Sequence, residues 1–254
     1  MNIITKLNEK LLTQTFGAEL DQPTRLSQYQ FMALMYSRIE NAIAVLSDMN
    51  ANKSYIYKGK AAAALGLYEN ESSEEINSIW EEAIFNKIHP DDLFEKHLLE
   101  LQFFNIIKNL PLEERSDYQV KSKIRMQGKN GSYVFVEHRM FYVSSAVNGS
   151  LWLALCLYHL STDPSTASVP YSLILNSTTG LSIKPDQQTA SQLLSSRERE
   201  ILMLIRKGKM SKEIADLLSI SINTVNRHRQ NILEKLRVSN SLEACRIAER
   251  MNLI

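Results

Sequence analysis

The sequence predicts an α+β fold, in which an antiparallel five-stranded sheet with helices precedes a C-terminal domain of four helices. Alternating apolar and polar residues in the middle of the chain predict the sheet, because successive side chains of a strand point to opposite faces. Helix-capping residues repeated through the C-terminal quarter predict the helical domain. With 254 residues, the chain is long enough for two separate hydrophobic cores.

Charge is distributed unevenly along the chain. The whole chain carries +1, whereas residues 191–254 carry +5 and residues 1–190 carry −4. The two cysteines, Cys156 and Cys245, are far apart and indicate neither a disulfide framework nor a zinc site. The most apolar stretch, residues 151–160, is too short to span a bilayer, and the N-terminus lacks the apolar core of a signal peptide. We therefore expect a cytoplasmic protein with no membrane partner.

Residues 1–40 are predicted to be helical, and residues 1–34 of them form an N-terminal segment before the sheet domain. Apolar residues recur at helical spacing on both sides of Pro23. They are Ile4, Leu7 and Leu11 before the proline, and Phe31, Leu34, Met35 and Ile39 after it. Each apolar stripe needs a surface to pack on. We expect that surface to be the rest of the same domain, and a dimer interface is the alternative.

Five segments have the pattern of β-strands. They are residues 42–49, 54–59, 118–126, 132–145 and 151–160. Residues 50–53 have the composition of a hairpin turn, and Asn-Gly pairs at 130–131 and 148–149 turn the chain between the last three strands. The last strand is apolar throughout, which is typical of a central strand covered on both faces.

Two helices are predicted between the second and third strands. Ser72 and Glu75 have the spacing of a capping box and predict a helix that continues through Ile84. A longer helix is predicted to begin at Pro90, because proline is favoured at the first helical position. It is followed by Asp91 and Asp92, and acidic residues in the first turn interact favourably with the helix dipole.

This order of elements resembles a PAS domain over residues 35–162. The similarity rests on FNKIHPDD at residues 85–92, RMQGKNGSYVFV at 125–136 and HLST at 159–162. The resemblance implies a sensory or dimerising module with a small cavity between its sheet and helices. It allows a small-molecule ligand in that cavity without naming one, so the cofactor remains unknown.

Residues 163–192 are predicted to form a linker. It contains a β-hairpin at residues 171–185 that turns between Asn176 and Gly180. An isolated two-stranded hairpin is only marginally stable. We therefore expect it to pack either on the sheet of the same chain or on a partner in a dimer.

Four helices are predicted in residues 193–254 from their start and stop signals. Ser195 and Glu198 form a capping box, and a second helix begins at Ser211. Ser221 is the expected cap of the third helix, and Asn240 with Glu243 forms the capping box of the fourth. Ile201, Leu204 and Ile205 of the first helix and Ile214, Leu217 and Leu218 of the second are expected to face inward.

The third helix has two chemically different faces. At about 100° per residue, Val225, Ile232 and Leu236 point to the core. The opposite face carries the residues that we predict to contact bases: Asn223, Asn226, Arg227 and Gln230. Asparagine and glutamine match the hydrogen-bonding edge of adenine and arginine matches that of guanine. Surrounding residues are predicted to contact phosphates: Lys209, Lys212, Thr224, Arg229, Lys235 and Arg237.

Residues 193–254 resemble the C-terminal helix-turn-helix domain of the LuxR family of bacterial transcription factors. The similarity rests on LSSREREILMLIRKG, KEIADLLSIS, TVNRHRQNILEKLRV and EACRIAE, in order and spacing. It implies that Asn226, Arg227 and Gln230 contact bases. It also implies that the last helix is a dimerisation surface, with Ala244, Ile247, Ala248 and Met251 along it. Ser241 stands where the family commonly has arginine.

Metal-binding and catalytic sites are not predicted. The polar group His89, Asp91, Asp92 and His97 is explained by helix initiation. His138 and His159 lie on predicted strands without ligand spacing, and both cysteines are expected to be buried packing residues. No phosphate-binding glycine loop or catalytic motif is present, so we do not expect an enzyme.

The predicted function is sequence-specific DNA binding by a homodimeric transcriptional regulator. The partners would be double-stranded DNA, a second copy of the chain and the transcription machinery. A PAS-like domain would control the DNA-binding domain, and the lack of a parallel βαβ pattern disfavours a phospho-acceptor receiver domain. The alternative is that the helix-turn-helix serves as a protein-docking module.

Overall fold

The computed structural model describes residues 3–17, 21–67, 72–161, 171–183, 193–250 and 253–254. The chain divides into two compact units, of which the N-terminal unit contains residues 8–185. The C-terminal unit contains residues 186–254 together with residues 1–7. The division between residues 185 and 186 therefore lies inside the predicted linker, and most of the predicted N-terminal helical segment belongs to the same unit as the sheet.

Within the described residues, eight strands form one antiparallel sheet in the order β3-β2-β1-β6-β5-β4-β7-β8. The strands are β1 (Ile43–Asp48), β2 (Lys53–Lys58), β3 (Ser72–Ile76), β4 (Tyr118–Gln127), β5 (Tyr133–Ser145), β6 (Leu151–Leu160), β7 (Tyr171–Asn176) and β8 (Ser182–Ile183). All five predicted strands are present, and they are neighbours in the middle of the sheet. The predicted strand number was wrong, because one further strand extends one edge and two extend the other.

Strand β3 replaces a predicted helix, so the capping box assigned to Ser72 and Glu75 was wrong. The backbone of β3 pairs with β2, and the side chains support that pairing. Lys58 forms a salt bridge of 2.7 Å to Glu74, and Lys53 forms one to Glu75. Pairing with the edge of β2, supported by the two lysines, therefore outweighs the local preference of residues 72–76 for a helix.

The predicted hairpin packs on the sheet of its own chain, since β7 pairs with β4. Its turn is the predicted one: the Asn176 side chain accepts hydrogen bonds from the backbone N–H groups of Thr178 and Thr179, and Gly180 has a φ of 74°. Residues 184 and 185 of the predicted hairpin lie outside the described residues.

Helices cover both faces of the sheet. Helix α1 (Ile3–Leu12) begins in the C-terminal unit and ends in the N-terminal unit. The described helices within the N-terminal unit are α2 (Gln22–Ile39), α3 (Ala61–Ala64), α4 (Glu82–Phe85) and α5 (Pro90–Asn109), followed by a short 3₁₀ helix (Leu112–Asp117). Ala33 of α2 packs against Leu46 and Leu155 on one face. On the other face Phe103 of α5 stacks on Tyr142, with ring centroids 5.2 Å apart. No described helix is long and apolar enough to cross a membrane.

The apolar stripe predicted on the second helix does not pack as expected. Small residues, Ala33 and Ser37, form the buried side of α2, because they allow the helix to approach the sheet closely. Phe31 and Ile39 are 62% and 71% exposed. The expectation that these two residues pack on their own domain was therefore wrong.

The four predicted C-terminal helices are present as α6 (Ser196–Arg206), α7 (Ser211–Leu218), α8 (Ile222–Leu236) and α9 (Ser241–Arg250). Ser195 and Glu198 form the predicted capping box. Asn240 caps α9 by accepting from the Glu243 N–H, but the Glu243 carboxylate accepts from Ser239 instead of Asn240. The prediction that Ile214, Leu217 and Leu218 of α7 face inward was partly wrong, because Leu217 is 60% exposed. The buried residues of α7 are Ile214 and Ala215.

Gly59 provides a test of the close packing between α2 and the first hairpin. A Cβ atom at Gly59 would lie 2.3 Å from the backbone oxygen of Ser37 and 2.5 Å from that of Ala42. We expect Gly59→Ala to lower the free energy of unfolding of the N-terminal unit by roughly 1–3 kcal/mol. Urea unfolding followed by tryptophan fluorescence measures this unit, because Trp80 and Trp152 both lie in it.

Gly17→Ala is the matched control, because a Cβ atom there meets nothing within 4 Å. It should leave the free energy of unfolding within about 0.5 kcal/mol of wild type. Equal destabilisation by the two substitutions would contradict the packing described for Gly59.

Candidate functional site

Helix α8 packs on the core of the C-terminal unit through one apolar face, and its opposite face is exposed to solvent. Val225, Ile232 and Leu236 are buried in the core of the C-terminal unit, as predicted. The Ser221 hydroxyl accepts a hydrogen bond of 3.0 Å from the Thr224 N–H and so fixes where the helix begins. The core therefore fixes the rotation of α8 about its axis, which determines the side chains that face solvent.

The structure brings the four predicted base-contacting residues to the solvent side of α8. Asn223, Asn226, Arg227 and Gln230 are all exposed. Gln230 donates a hydrogen bond of 3.0 Å to Glu234, a contact that a base edge can replace at the surface. Within the first nine residues of the helix, amide and guanidinium groups thus share one accessible face.

The predicted phosphate-contacting residues fall into three groups. Lys209, Lys212 and Arg237 are exposed, and Lys209 is paired at 2.8 Å with the similarly exposed Glu213. Thr224 is half-buried, with its hydroxyl 2.8 Å from that of Ser221. Arg229 and Lys235 are engaged within the domain. A surface salt bridge such as that of Lys209 is weak enough for the lysine to exchange partners.

Arg229 connects three helices of the domain. Its guanidinium donates to the hydroxyl groups of Ser211 at 3.4 Å and Ser241 at 3.1 Å, at the beginnings of α7 and α9. Ser241, which stands where arginine is common in the family, thereby has a structural partner. Arg197 of α6 similarly donates to the backbone oxygen of Leu218 at 2.9 Å, where α7 ends.

The Glu198 carboxylate anchors helix α8. It accepts from the Ser195 N–H at 2.7 Å and from the Lys235 ammonium at 2.7 Å, and it is 2% exposed. Burial alone would raise its pKa, but the donors on Lys235 and Ser195 outweigh burial and lower the pKa of Glu198. This carboxylate links the beginning of α6 to the last turn of α8.

The residues predicted for dimerisation lie in the domain's own core. Ala244, Ile247 and Ala248 are 0%, 2% and 0% exposed, so their side chains pack inside the monomer and are not available to a partner. This corrects the expectation for these three residues. Met251 lies outside the described residues. Leu242, which was not predicted, is 81% exposed at the beginning of α9.

The interior of the N-terminal unit contains a second group of polar residues. Lys96 of α5 forms a buried salt bridge with Glu100, and Glu81 lies nearby with a hydrogen bond of 3.2 Å from Ser47. Burial raises the pKa of Glu81 to about 7, with Lys96 opposing the shift and Glu100 adding to it. Sequence reasoning missed these residues, because ionisable residues within an amphipathic helix usually indicate its exposed face.

The polar group predicted around His89 has the structural roles expected for it. Asp92 binds the Arg125 guanidinium in a bidentate arrangement at 2.7 and 2.9 Å, which connects the beginning of α5 to β4. His89 accepts a hydrogen bond from the Asp91 N–H as the cap of α5. His97 packs edge-on against Phe85, with ring centroids 5.4 Å apart.

Comparison with protein families identifies the domain that the four C-terminal helices form. Residues 192–248 match the family model described as bacterial regulatory proteins, luxR family. The C-terminal domain belongs to the luxR family. The predicted resemblance of residues 193–254 is therefore confirmed over nearly its whole length. The resemblance of residues 35–162 to a PAS domain stays a prediction.

Two curated relatives are similar to about a quarter of this chain. The response regulatory protein YgeK of Escherichia coli is 48% identical over 60 residues, which cover 24% of this chain and 41% of that protein. The transcriptional regulatory protein LiaR of Bacillus subtilis is 49% identical over 61 residues, which cover 24% and 29%. The chain thus spans less than half the length of the curated relatives that it matches.

Solved structures resemble longer parts of the chain, but weakly. VqmA bound to DPO covers 90% of this chain and 88% of its own, with 14% identity and a TM-score of 0.29. Escherichia coli SdiA covers 99% and 97%, with 16% identity and a TM-score of 0.25. TM-scores this low carry no functional argument for the N-terminal unit.

Removal of the Glu198 carboxylate should make local unfolding of α6 and α8 more frequent. Glu198→Ala removes the partner of the partly exposed Lys235 ammonium and half of a capping box, and we expect the free energy of unfolding of the domain to fall by about 1–3 kcal/mol. The luxR-type domain contains no tryptophan or tyrosine, so hydrogen exchange of peptides from α6 and α8 is the measurement. Exchange in both helices should become faster.

Glu200→Ala is the control for this prediction, because Glu200 pairs with Arg197 on the surface of the same helix. This substitution should lower the free energy of unfolding of the domain by less than about 1 kcal/mol. Similar exchange rates for the two variants would show that Glu198 has no special role.

The raised pKa of Glu81 predicts a pH dependence of stability. Between about 4.5 and about 7 the folded state keeps a proton that the unfolded chain has lost. Stability of the N-terminal unit should therefore fall as pH rises through this range, by roughly 3 kcal/mol from this group. Glu81→Gln should remove that contribution, as measured by urea unfolding at several pH values in metal-free buffer.

The exposed neighbour provides the control, since Glu82→Gln makes the same change in charge at the surface. Its difference from wild type should not vary across the pH range. Parallel pH profiles for wild type and Glu81→Gln would contradict the assignment of a proton to buried Glu81.

Proposed function

We propose that the chain is a transcriptional regulator that binds specific DNA sequences through its luxR-type domain. The observation that supports this proposal most directly is the exposed face of α8, on which Asn226, Arg227 and Gln230 lie together above a rigid core. These side chains offer the donors and acceptors that match base edges in the major groove. The names of the relatives YgeK and LiaR describe regulatory proteins, which agrees with this proposal.

In the proposed complex α8 lies in the major groove with its N-terminal half against the bases. Arg227 reads guanine, and Asn226 and Gln230 read adenine, because their paired hydrogen-bonding groups fit those bases. Lys212 and Arg237, which are exposed, contact phosphates and hold the helix in register. Arg229 and Lys235 contribute to the same complex by keeping the domain rigid.

The proposal includes a homodimer. One α8 presents few base-reading side chains, so one domain reads too few base pairs for selective binding. A second copy of the chain supplies a second half-site, and the exposed apolar side of α2 with Phe31 and Ile39 offers a surface for pairing. In this proposal the PAS-like N-terminal unit controls the separation of the two reading helices and, through it, contact with the transcription machinery.

Substitution of single residues on α8 and α7 should separate base reading from phosphate binding. Arg227→Ala should weaken binding to a duplex enriched from random sequences by about 1–3 kcal/mol, with little effect on unrelated DNA. Lys212→Ala should weaken binding to both duplexes and reduce the slope of log affinity against log salt by about one. Fluorescence anisotropy at several salt concentrations measures both effects.

The same titration tests the alternative of a protein-docking module. A docking module would bind neither duplex, whereas DNA binding must weaken steeply as salt increases. Equal affinities of wild type and Arg227→Ala for the enriched duplex would refute base reading by α8, even if the protein binds DNA.

A further inference from the structure

Three side chains of types that can bind a metal ion lie close together inside the N-terminal unit. In the antiparallel pairing of β5 and β6, Met140 lies opposite Cys156 and His138 lies opposite Tyr158. His138 and Cys156 are therefore diagonal neighbours on the same face of the sheet. Glu100 reaches this face from α5, and the ligand atoms of the three residues lie within 4.8 Å of one another.

His138 is the strongest sign that this group has a function beyond packing. Its side chain is fully buried, and neither ring nitrogen has a hydrogen-bond partner in the part of the chain that the structure describes. The hydroxyl groups of Ser122, Tyr142 and Tyr158 are also buried without a partner there. Each such atom costs about 1–3 kcal/mol, so a group of them in one interior indicates a missing binding partner.

The combination of donors identifies the class of partner. Thiolate, imidazole and carboxylate together are the ligands of zinc, whereas calcium and magnesium prefer oxygen alone. Ligand atoms around tetrahedral zinc are roughly 3.5 Å apart, so small side-chain rotations from the observed separations are sufficient. We propose that Glu100, His138 and Cys156 form a binding site for a zinc ion, independently of the DNA-binding function.

The charges of the interior are compatible with a dication. Lys96 pairs with one oxygen of Glu100, which leaves the other oxygen available to the metal. On binding, the Cys156 thiol releases its proton to solvent, and the sulfur donates an electron pair to the metal. If Glu81 also releases its proton, the acidic groups Glu81, Glu100 and Cys156 balance zinc and Lys96, and the interior remains neutral.

Three protein ligands leave one position of a tetrahedral zinc ion open. A water molecule or another small donor at that position can form hydrogen bonds with the hydroxyl groups of Tyr142 and Tyr158. The proposed site therefore provides partners for several buried polar atoms at once. It also gives the N-terminal unit a position at which a small molecule with a nitrogen, oxygen or sulfur donor can bind.

Cobalt is the spectroscopic probe for this proposal. The full chain, purified without a histidine tag and treated with a chelator, is titrated with Co²⁺ and then with Zn²⁺. Wild type should develop a thiolate-to-cobalt charge-transfer band and the visible absorption of tetrahedral cobalt, and stoichiometric zinc should remove both. Absence of the charge-transfer band in wild type would overturn the proposal.

The two cysteines provide a matched pair of variants. Cys156→Ser should abolish the charge-transfer band, whereas Cys245→Ser, in the luxR-type domain, should retain it. His138→Gln should weaken cobalt binding by about tenfold or more. A band that persists in Cys156→Ser, or disappears in Cys245→Ser, would place the thiolate ligand elsewhere and overturn the assignment.

X-ray absorption of zinc-loaded wild type tests the site even if a variant fails to fold. The spectrum should show one sulfur neighbour at about 2.3 Å and nitrogen or oxygen neighbours at about 2.0–2.2 Å. A shell of nitrogen and oxygen neighbours without sulfur would contradict coordination by Cys156.

Discussion

The orientation of the exposed face of α8, to which we assign base reading, depends on the buried carboxylate of Glu198. A helix can read base edges only if its rotation and tilt are fixed before it meets DNA, because flexible side chains on a loosely held helix lose entropy on binding. Apolar residues fix the rotation of α8, and the contact between Glu198 and Lys235 fixes its last turn against α6. Arg229 adds connections from α8 to the beginnings of α7 and α9. The ion pair and the arginine contacts within the domain thus position the amide and guanidinium groups on the exposed face of α8.

The N-terminal unit contains several buried ionisable side chains. Its sheet carries polar residues on a buried face, where an unpaired charge is costly. Lys96 and Glu100 neutralise each other, and Glu81 keeps its proton to a pH near 7. Lys96, Glu100 and Glu81 thus add no net charge to this interior below a pH near 7. These buried polar groups reduce the stability of the core relative to one packed with apolar side chains alone.

The luxR-type domain could be predicted almost completely from sequence, because its signals are local. The capping residues Ser195 and Ser221 begin helices where predicted, and the periodicity of α8 separates buried Val225 from exposed Arg227. The roles of Lys235 and Arg229 could not be predicted, since their partners are distant in sequence. The same holds for Ala248, whose burial depends on how α9 packs on the other helices.

In the N-terminal unit, long-range pairing limited what the sequence could predict. Residues 72–76 have the local signal of a helix but form a strand, because the edge of β2 is available for pairing. His138 and Cys156 showed no ligand spacing, and only the register of β5 with β6 brings them together. Glu100 lies far from both in sequence and contributes from a helix. Alternation along each strand did identify the residues that share a face, but not their neighbours on the adjacent strand.

The most direct test of the account is a crystal structure of the full chain bound to a duplex enriched from random sequences. The account predicts α8 in the major groove, with Asn226, Arg227 and Gln230 within hydrogen-bonding distance of base edges and two copies of the chain on one duplex. A complex in which α8 faces away from the DNA, or in which these three side chains contact only phosphates, would contradict it.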